Sequence, residues 1–488
     1  MNKKVANYLG KLIISVGLYL LLPLFSLLFY PTEINHLLHF IVPAVLGVIG
    51  GSIILKLSDG VTDLDIDFKE ASLVVFIVWG VAVGLGSIPF ISSGQLNLID
   101  AIFESMSGWS TTGLSMMDVE QTPKIFLLWR SVMQYIGGLG FVVLVMSSLL
   151  KTHDFDLYQA EGRDDRFGSK LMDTAKIIVK IYLFYTIIGI VMYFLAGMNL
   201  FDAINHAMSA LSTGGFSTKA ASMGYWNSSI INLITMGLML LGTVSFAIHY
   251  RLLIKRELQV INDAELKLGV VLIPSFTILI TGLALFGTQF SAGMEDIVFS
   301  VISALSSAGL GTVSFGAWPA ASLLLLTILM IIGGGVGATA GGLKQERVIA
   351  LWKSMIWGIK KELYNGDQEI TSHFFLRGKR VELSPEYAQR ILSYVALYIF
   401  TFLLGVFVFV ASGYSVIDSM FEYASTLSTI GLSVGITSPE MPTFLKLVQI
   451  ITMWFGRLEF IAIIIAILKL TTHFYELDVE VDDSNYSV

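Results

Sequence analysis

Ten long apolar runs follow one another along the chain, separated by shorter polar stretches. A helix that crosses the hydrocarbon core of a bilayer needs about 20 predominantly apolar residues. Each run is long enough to supply one such helix. The pattern therefore predicts an all-α polytopic membrane protein, with spans near residues 9–30, 36–57, 70–91, 124–150, 172–196, 228–253, 267–288, 321–357, 388–412 and 443–470.

The composition agrees with this prediction. The 488 residues are 55% hydrophobic and 14% charged, whereas an ordinary soluble domain is about 25% charged. The chain starts with Met-Asn-Lys-Lys and an apolar run, but no small-residue cleavage site is evident and a second run follows at once. We therefore expect an uncleaved first helix rather than a signal peptide. The absence of cysteine excludes disulfides, thiolate metal sites and cysteine nucleophiles.

The distribution of basic residues predicts an orientation. Ten spans with the N-terminus inside place three basic segments in the cytoplasm, at residues 151–176, 251–267 and 344–390, as the positive-inside rule requires. Both termini are then cytoplasmic. The outer side keeps Lys124, Lys219 and Lys446, with Arg130 near the outer end of a span. Acidic residues are expected to form an outer mouth that concentrates cations: Glu104, Asp118, Glu120, Glu295, Glu422, Glu440 and four aspartates of a repeated motif.

That motif occurs four times. An aspartate is followed, thirteen residues later, by a glycine that closes a four-residue segment beginning with serine. The aspartates are Asp100, Asp202, Asp296 and Asp418. We call the four stretches the serine–glycine segments, and each has another serine three residues before it (Ser107, Ser209, Ser303 and Ser425). The segments are Ser110-Thr111-Thr112-Gly113, Ser212-Thr213-Gly214-Gly215, Ser306-Ser307-Ala308-Gly309 and Ser428-Thr429-Ile430-Gly431.

Each motif lies between two apolar runs, so the chain reads as span, short segment and span. About ten residues between the aspartate and the segment would form a helix about 15 Å long, too short to cross the bilayer. We expect the aspartate to be its N-cap. Four extended segments around one axis can present carbonyl oxygens that replace the hydration shell of an ion. A single copy would more readily indicate a tight helix–helix contact, but four copies with one spacing favour a cation selectivity filter.

These residues resemble the Trk/Ktr/HKT superfamily of potassium transporters, over about residues 70–470. The resemblance implies four covalently linked span–pore–span repeats with fourfold pseudo-symmetry, in which Gly113, Gly215, Gly309 and Gly431 are the filter glycines and the three residues before each supply further carbonyls. Two extra N-terminal transmembrane helices look like the bacterial Trk type. The expected units are 1–62 (the helix pair), 63–160, 161–260, 261–365 with a broken second helix, and 366–488 with an acidic cytoplasmic tail at 476–483.

Six glycines in ten residues interrupt the second span of the third repeat, at 333–342. Each glycine is about 1 kcal/mol less favourable in a helix than alanine, so a straight helix is not expected. A glycine-lined packing face is the alternative. In the superfamily this stretch is a gate loop under the filter. The implied gate residues are Gly333, Gly334, Gly335, Gly337, Ala338, Thr339, Gly341 and Gly342, together with Arg457 of the fourth repeat.

The second span of the fourth repeat has Gly456-Arg457 where those of the first two repeats have Gly137-Gly138 and Gly242-Thr243, so Arg457 takes a place that small residues hold elsewhere. A charge at that depth is costly unless it is paired or hydrated, which makes it a functional candidate. A structural ion pair with another helix is the alternative, and Glu459 two residues later faces another side of the helix. His206 in the second short segment is expected to be a hydrogen-bonded packing residue rather than a pH sensor.

The sequence therefore predicts potassium uptake through a channel-like pore in a bacterial cytoplasmic (inner) membrane, with potassium as the transported ion and no organic cofactor. The resemblance implies a homodimer regulated by a cytoplasmic nucleotide-binding ring protein of the TrkA type, which could act through the basic stretch after residue 344. No nucleotide-binding motif occurs here, and no nucleic-acid partner is expected. A sodium- or proton-coupled symporter is the alternative function. An enzyme is not expected, because the chain lacks a nucleophile–base or metal constellation.

Overall fold

A computed structural model describes residues 2–58, 66–140, 171–286, 292–363 and 372–471, together with Val143 and Gln159. The end of the fourth predicted run and the predicted acidic tail lie outside these residues. The described helices are α1 (Lys3–Tyr19), α2 (Leu37–Leu57), α3 (Phe68–Ser92), α4 (Leu98–Trp109), α5 (Lys124–Leu139), α6 (Leu171–Leu195), α7 (Leu200–Leu211), α8 (Ser229–Thr243), α9 (Phe246–Leu253), α10 (Ala264–Phe286), α11 (Met294–Ser306), α12 (Ala320–Ile332), α13 (Gln345–Leu363), α14 (Pro385–Ala411), α15 (Val416–Leu427), α16 (Thr443–Leu458) and α17 (Phe460–Thr471).

The long helices face a nonpolar medium. Six described segments are long and apolar enough to cross a membrane, and two bent helix pairs bring the number to eight. In α10, only 11% of the most apolar stretch is buried inside the protein. Large apolar side chains such as Val270 (72% exposed) and Phe407 (68% exposed) point outward. Such surfaces are stable in contact with lipid, so the predicted all-α membrane fold is confirmed.

The N-terminal helices α1 and α2 form a close pair that also packs against α3. The two helices approach through glycines on facing sides. A Cβ atom at Gly17 would lie 2.7 Å from the carbonyl oxygen of Ala44, and one at Gly10 would lie 2.8 Å from that of Gly51. Small residues allow backbones to approach closely in membranes, where dispersion contacts rather than hydrophobic burial hold helices together. The pair therefore forms one packed unit.

The second spans of the motifs are interrupted, although the apolar runs predict continuous helices in all but the third. Helices α8 and α9 meet at 102°, and α16 and α17 meet at 108°. Helix α12 ends at Ile332 and α13 begins only at Gln345. Helix α5 ends at Leu139, where Gly140 has φ 91°. An apolar run signals burial in lipid but not straightness, because hydropathy carries no information on backbone angles.

A small antiparallel hairpin lies between α13 and α14, where the sequence predicts no strand. Strand β1 (His373–Leu376) pairs with β2 (Lys379–Glu382), and the connecting residues Arg377 (φ 46°) and Gly378 (φ 77°) are both left-handed. Two left-handed residues are the geometry of a type I′ turn, which matches the twist of a two-residue hairpin. The sequence signal for this hairpin was the Arg-Gly pair between two short stretches in which apolar and polar residues alternate.

Candidate functional site

Four short helices, α4, α7, α11 and α15, end in the middle of the protein, and each is followed by one serine–glycine segment. They contain 12 or 13 residues, which is about 18–20 Å. The four helices begin alike, with Asn97, Asn199, Gly293 and Ser415 as their N-caps. Each short helix therefore begins at the protein's edge and aims its carbonyl end at the serine–glycine segment.

The prediction that the motif aspartates are N-caps is wrong by three residues. Asp100, Asp202, Asp296 and Asp418 occupy the third helical position. Three of their side chains accept a hydrogen bond from the N-cap side chain, at 2.6–2.7 Å, and that of Asp296 accepts from the backbone N–H of Gly293 at 3.1 Å. An acidic group in the first turn still favours the positive helix end. Spacing alone could not separate the cap from the third position, because both suit an aspartate.

The four serine–glycine segments share one backbone conformation. Their second residues, Thr111, Thr213, Ser307 and Thr429, have φ between 51° and 59°, which is uncommon outside glycine. The closing glycines are also left-handed, with φ from 68° to 101°. The N–H of the third residue donates to the carbonyl oxygen of the serine in the last turn of its short helix, at 2.8–3.1 Å. This bond turns the chain sharply off each helix end.

The four segments close into a ring. A Cβ atom built on each closing glycine would lie 3.0–3.3 Å from the Cα of the next, in the order Gly113, Gly215, Gly309, Gly431 and back to Gly113. The same Cβ positions collide with the carbonyl oxygen of the residue before the neighbouring glycine. Those carbonyls belong to Thr112, Gly214, Ala308 and Ile430. Since no side chain fits between neighbouring segments, glycine is required at all four positions, and the backbone of each segment lies against the next.

Buried polar side chains hold the chain that leaves the ring. Glu104 accepts hydrogen bonds from the hydroxyl of Ser115 (3.0 Å) and the N–H of Met116 (2.8 Å). Glu422 does the same for Ser433 (2.8 Å) and Val434 (3.1 Å). These carboxylates are fully buried. The prediction that Glu104 and Glu422 belong to an open acidic mouth is therefore wrong, because both carboxylates are buried and hydrogen-bonded to the chain that follows the ring.

In the second motif, a histidine of α7 takes the place that Glu104 and Glu422 have in the first and fourth motifs. His206 Nε2 lies 2.9 Å from the hydroxyl of Ser217, and its Nδ1 lies 2.8 Å from the carbonyl oxygen of Asp202. Asp202 in turn accepts from the hydroxyl of Thr218 at 2.6 Å. Both ring nitrogens are thus occupied by structural contacts, in agreement with the packing role expected for this histidine.

Two buried ion pairs anchor α4, the short helix that leads into the first segment of the ring. Arg130 Nε lies 2.6 Å from Glu104, and Lys446 Nζ lies 2.6 Å from Asp100. Arg130 and Lys446 are only 2% and 5% exposed, so both cations are buried beside their partners. The second pair joins α16 to α4, which links the fourth motif to the first. Sequence reasoning missed both pairs, because the partners are far apart along the chain.

Arg130→Met is expected to destabilise the protein by about 3–5 kcal/mol, because it leaves the Glu104 carboxylate buried without its cation. The additional change Glu104→Gln should recover much of the loss. Thermal unfolding in detergent measures both effects. Lys124→Met, on the same helix, is the matched control, since Lys124 forms no ion pair within the described residues. Equal melting temperatures for Arg130→Met and Lys124→Met would contradict this role for the pair.

The glycine-rich loop, residues 333–342, lies directly beneath the ring and is buried throughout. Its Gly335 and Thr339 N–H groups donate to the carbonyl oxygens of Thr243 and Gly242, both at 3.1 Å. The Thr339 hydroxyl contacts that of Thr213 in the second segment at 3.3 Å. A Cβ atom at Gly341 would collide with the carbonyl oxygen of Ser428 in the fourth. The loop therefore touches two segments of the ring.

Arg457 completes this layer. Its guanidinium donates to the carbonyl oxygen of Thr339 in the loop at 2.9 Å and to the hydroxyl of Thr111 in the first segment at 3.3 Å. It also donates to the carbonyl oxygens of Gly137 and Gly138 at the end of α5. The side chain thus links the loop to the first segment. A cavity of about 30 Å³ lies beside it, lined by the loop and by the ends of α5 and α16.

Glu459 is not a partner of Arg457. It has φ 62° at the break between α16 and α17, and its carboxylate pairs with Arg347 of α13 at 2.7 Å. Arg347 also lies 3.9 Å over the ring of Tyr394. The pair joins the helix after the glycine-rich loop to the fourth motif. Gln134 was likewise missed, because a lone amide in an apolar helix carries no distinctive signal. Its Oε1 accepts from the Ser209 hydroxyl and from the Phe216 N–H, on either side of the second segment and both at 3.1 Å.

Comparison with known proteins decides the family. Residues 51–474 match the family model TrkH, described as a cation transport protein. The chain belongs to the TrkH family. The fold superposes on the crystal structure of the potassium transporter TrkH from Vibrio parahaemolyticus with a TM-score of 0.82, at 25% identity, over 97% of this chain and all of that one. The resemblance inferred from the four motifs is thereby confirmed.

Curated relatives match between 81% and 94% of the chain. An uncharacterised cation transporter of Methanocaldococcus jannaschii is 31% identical over 466 residues, which is 94% of each protein. The Trk system potassium uptake protein TrkG of Escherichia coli K12 is 29% identical over 487 residues, and TrkH of the same strain is 29% identical over 413. TrkH-family proteins are transporters and not enzymes, so this chain is a membrane cation transporter.

Proposed function

We propose that this protein carries potassium ions into the cell through a selectivity filter formed by the four serine–glycine segments. The closed ring of segments supports the proposal most directly, since neighbouring glycines leave no room for any Cβ atom. Four left-handed turns follow the ends of four short helices, and the carbonyl oxygens of Thr112, Gly214, Ala308 and Ile430 each lie against the closing glycine of a neighbouring segment. Carbonyl oxygens gathered around one axis can replace the hydration shell of a cation. The partly negative C-terminal ends of the four short helices stabilise a cation at this position.

We further propose that the glycine-rich loop and Arg457 form the barrier below this filter. Both are in contact with the ring, and the loop has three left-handed glycines, Gly333, Gly337 and Gly342, which give it angles that no helix has. Its backbone is held by hydrogen bonds to α8 and by buried side chains rather than by a helical ladder. A segment held in this way can move as a unit when those few bonds are released.

The relatives support the substrate, partner and membrane. Proteins named for Trk potassium uptake systems match most of the chain, so we propose potassium as cargo, a homodimer and a cytoplasmic nucleotide-binding ring protein of the TrkA type as regulator. The inner membrane and cytoplasmic termini follow from the charge distribution. A sodium- or proton-coupled symporter is the second candidate. Its support is limited to the polar environment of the ring, and no described group of three or more metal-ligating side chains accompanies it.

Purified protein in liposomes tests the function. We expect potassium influx that exceeds sodium influx and is driven by the potassium gradient and membrane potential alone. Influx that requires an imposed sodium or proton gradient would establish the symporter instead. Equal permeation of potassium and sodium would contradict the filter.

Shortening the glycine-rich loop is expected to raise basal potassium flux, because its backbone fills the space under the ring. Deleting Gly334 and Gly335 removes the contact with Thr243 and leaves α12 and α13 intact. Influx per monodisperse protein, with and without a TrkA-type partner, is the measurement. Deleting Gly94, which lies in the turn after α3 with open space around it, is the control for a local backbone change. Wild-type basal flux in the shortened loop would assign the loop to packing.

A further inference from the structure

Glu265 is a buried carboxylate that contacts the glycine-rich loop from the side. It lies in the first turn of α10 and is 3% exposed. Its Oε1 accepts a hydrogen bond from the backbone N–H of Val336 at 3.0 Å. Its Oε2 is buried without a hydrogen-bond partner in the described residues. A Cβ atom at Gly335 would lie 3.0 Å from that oxygen, so the loop backbone and the carboxylate are in close contact.

A carboxylate in such a place is costly unless its contacts compensate for lost hydration. The N-terminal end of α10 favours a negative group, but that effect is available to any residue in the first turn and does not require contact with the loop. The Val336 N–H is the hydrogen-bond donor that the structure gives the side chain. The contact therefore connects a carboxyl group on a long transmembrane helix to the middle of the loop.

The same end of α10 is tied to the hairpin. Asp263 is fully buried, and its Oδ1 accepts from the N–H of Glu265 at 2.9 Å. Its Oδ2 accepts from the backbone N–H of Arg377 in the hairpin turn. The Arg377 guanidinium in turn pairs with Glu346 in the first turn of α13, which begins where the loop ends. Tyr387 of α14 donates to the other oxygen of Glu346 at 2.6 Å.

We propose that Glu265 is the positioning residue that keeps the glycine-rich loop beneath the ring, and that movement of the β1–β2 hairpin breaks its contact with the loop. The inference rests on the proposed function of the loop as the barrier. A displacement of the hairpin moves Asp263 and the first turn of α10, which withdraws the Glu265 carboxylate from the Val336 N–H. The same displacement also moves Glu346 in the first turn of α13, so the middle of the loop and its C-terminal end move together.

The absence of cysteine from the chain allows a direct test of loop position. Ala338→Cys introduces one thiol in the loop, and its rate of modification by a small thiol reagent reports exposure. Adding Glu265→Ala should raise that rate about tenfold, the size expected from losing one buried hydrogen bond. Glu265→Gln should stay closer to the parent, because its amide oxygen still accepts from Val336. Asp263→Ala, which cuts the connection to the hairpin, should raise the rate about threefold.

Glu33→Ala is the matched control. Glu33 also accepts from two backbone N–H groups, those of Lys124 (2.8 Å) and Ile125 (2.9 Å), but it lies away from the loop. It should leave the thiol at position 338 unchanged. All rates are measured on monodisperse protein in liposomes, beside potassium influx.

Unchanged thiol reactivity in Glu265→Ala overturns the role of Glu265. Unchanged reactivity in Asp263→Ala overturns the connection to the hairpin. Raised reactivity without raised influx supports Glu265 as the positioning residue and overturns the loop as the barrier. Amide hydrogen exchange of the unaltered chain adds a check that needs no variant, since the Val336 N–H should exchange more slowly than a loop N–H without an acceptor. Equal exchange overturns the proposal.

Discussion

Gly309→Ala is expected to lower the preference for potassium over sodium by at least about tenfold, which corresponds to a loss of about 1.4 kcal/mol in discrimination. The Cβ atom of alanine would collide with the carbonyl oxygen of Ile430 and lie 3.1 Å from the Cα of Gly431. Glycine at this position also has φ 68°, a region that alanine rarely adopts. The collision is with backbone, so it cannot be relieved by rotating a side chain, and the neighbouring carbonyl must leave its place in the ring.

The permeability ratio in liposomes measures this effect. Gly84→Ala is the matched control, because it makes the same change in a transmembrane helix where the new methyl group meets no atom of another described segment within 4 Å. Gly113→Ala, Gly215→Ala and Gly431→Ala should act in the same direction, since each methyl group meets the next segment in the ring. Unchanged selectivity in all four variants, with normal protein yield, would refute the assignment of the filter.

Arg457→Ala is expected to speed potassium influx per protein molecule. The guanidinium joins Thr339 in the loop to Thr111 in the ring, so its loss both removes a positive charge below the ring and frees the loop. A cation passing within about 4 Å of that charge would be repelled by about 4 kcal/mol at an effective dielectric constant of 20. Even a fraction of this energy changes the rate severalfold.

Two further substitutions separate charge from hydrogen bonding at this position. Arg457→Lys keeps the charge and should conduct like the parent, whereas Arg457→Gln keeps a donor without charge and should conduct faster. A structural role predicts another pattern, in which Arg457→Ala and Arg457→Gln lower the yield and the melting temperature with no gain in flux. Influx normalised to monodisperse protein, measured beside thermal unfolding, distinguishes the two patterns. That second pattern would remove Arg457 from the ion path.

The membrane fold and the ring positions could be predicted because they depend on local or repeated properties. A run of apolar residues has to be in lipid whatever surrounds it, and an aspartate with a glycine thirteen residues later occurs four times. Repetition distinguishes a shared structural task from chance, which a single segment cannot do. The predicted N-cap failed because an aspartate three residues into the helix satisfies the same preference for negative charge at the helix end.

The contacts behind and below the ring depended on tertiary structure. Glu104 looks like a surface acid until the fold places Arg130 beside it, and Glu265 looks like an ordinary helix-end residue until the loop comes against it. Their partners are 26 and 71 residues away. The breaks in the second spans are also tertiary, because hydropathy is the same for a straight and a bent helix. The sequence by itself determined the membrane fold and the four glycines of the ring, since these follow from composition and repetition. Only the folded chain decided which buried charges are paired and which contacts hold the loop beneath the ring, because those depend on distances between segments remote in sequence.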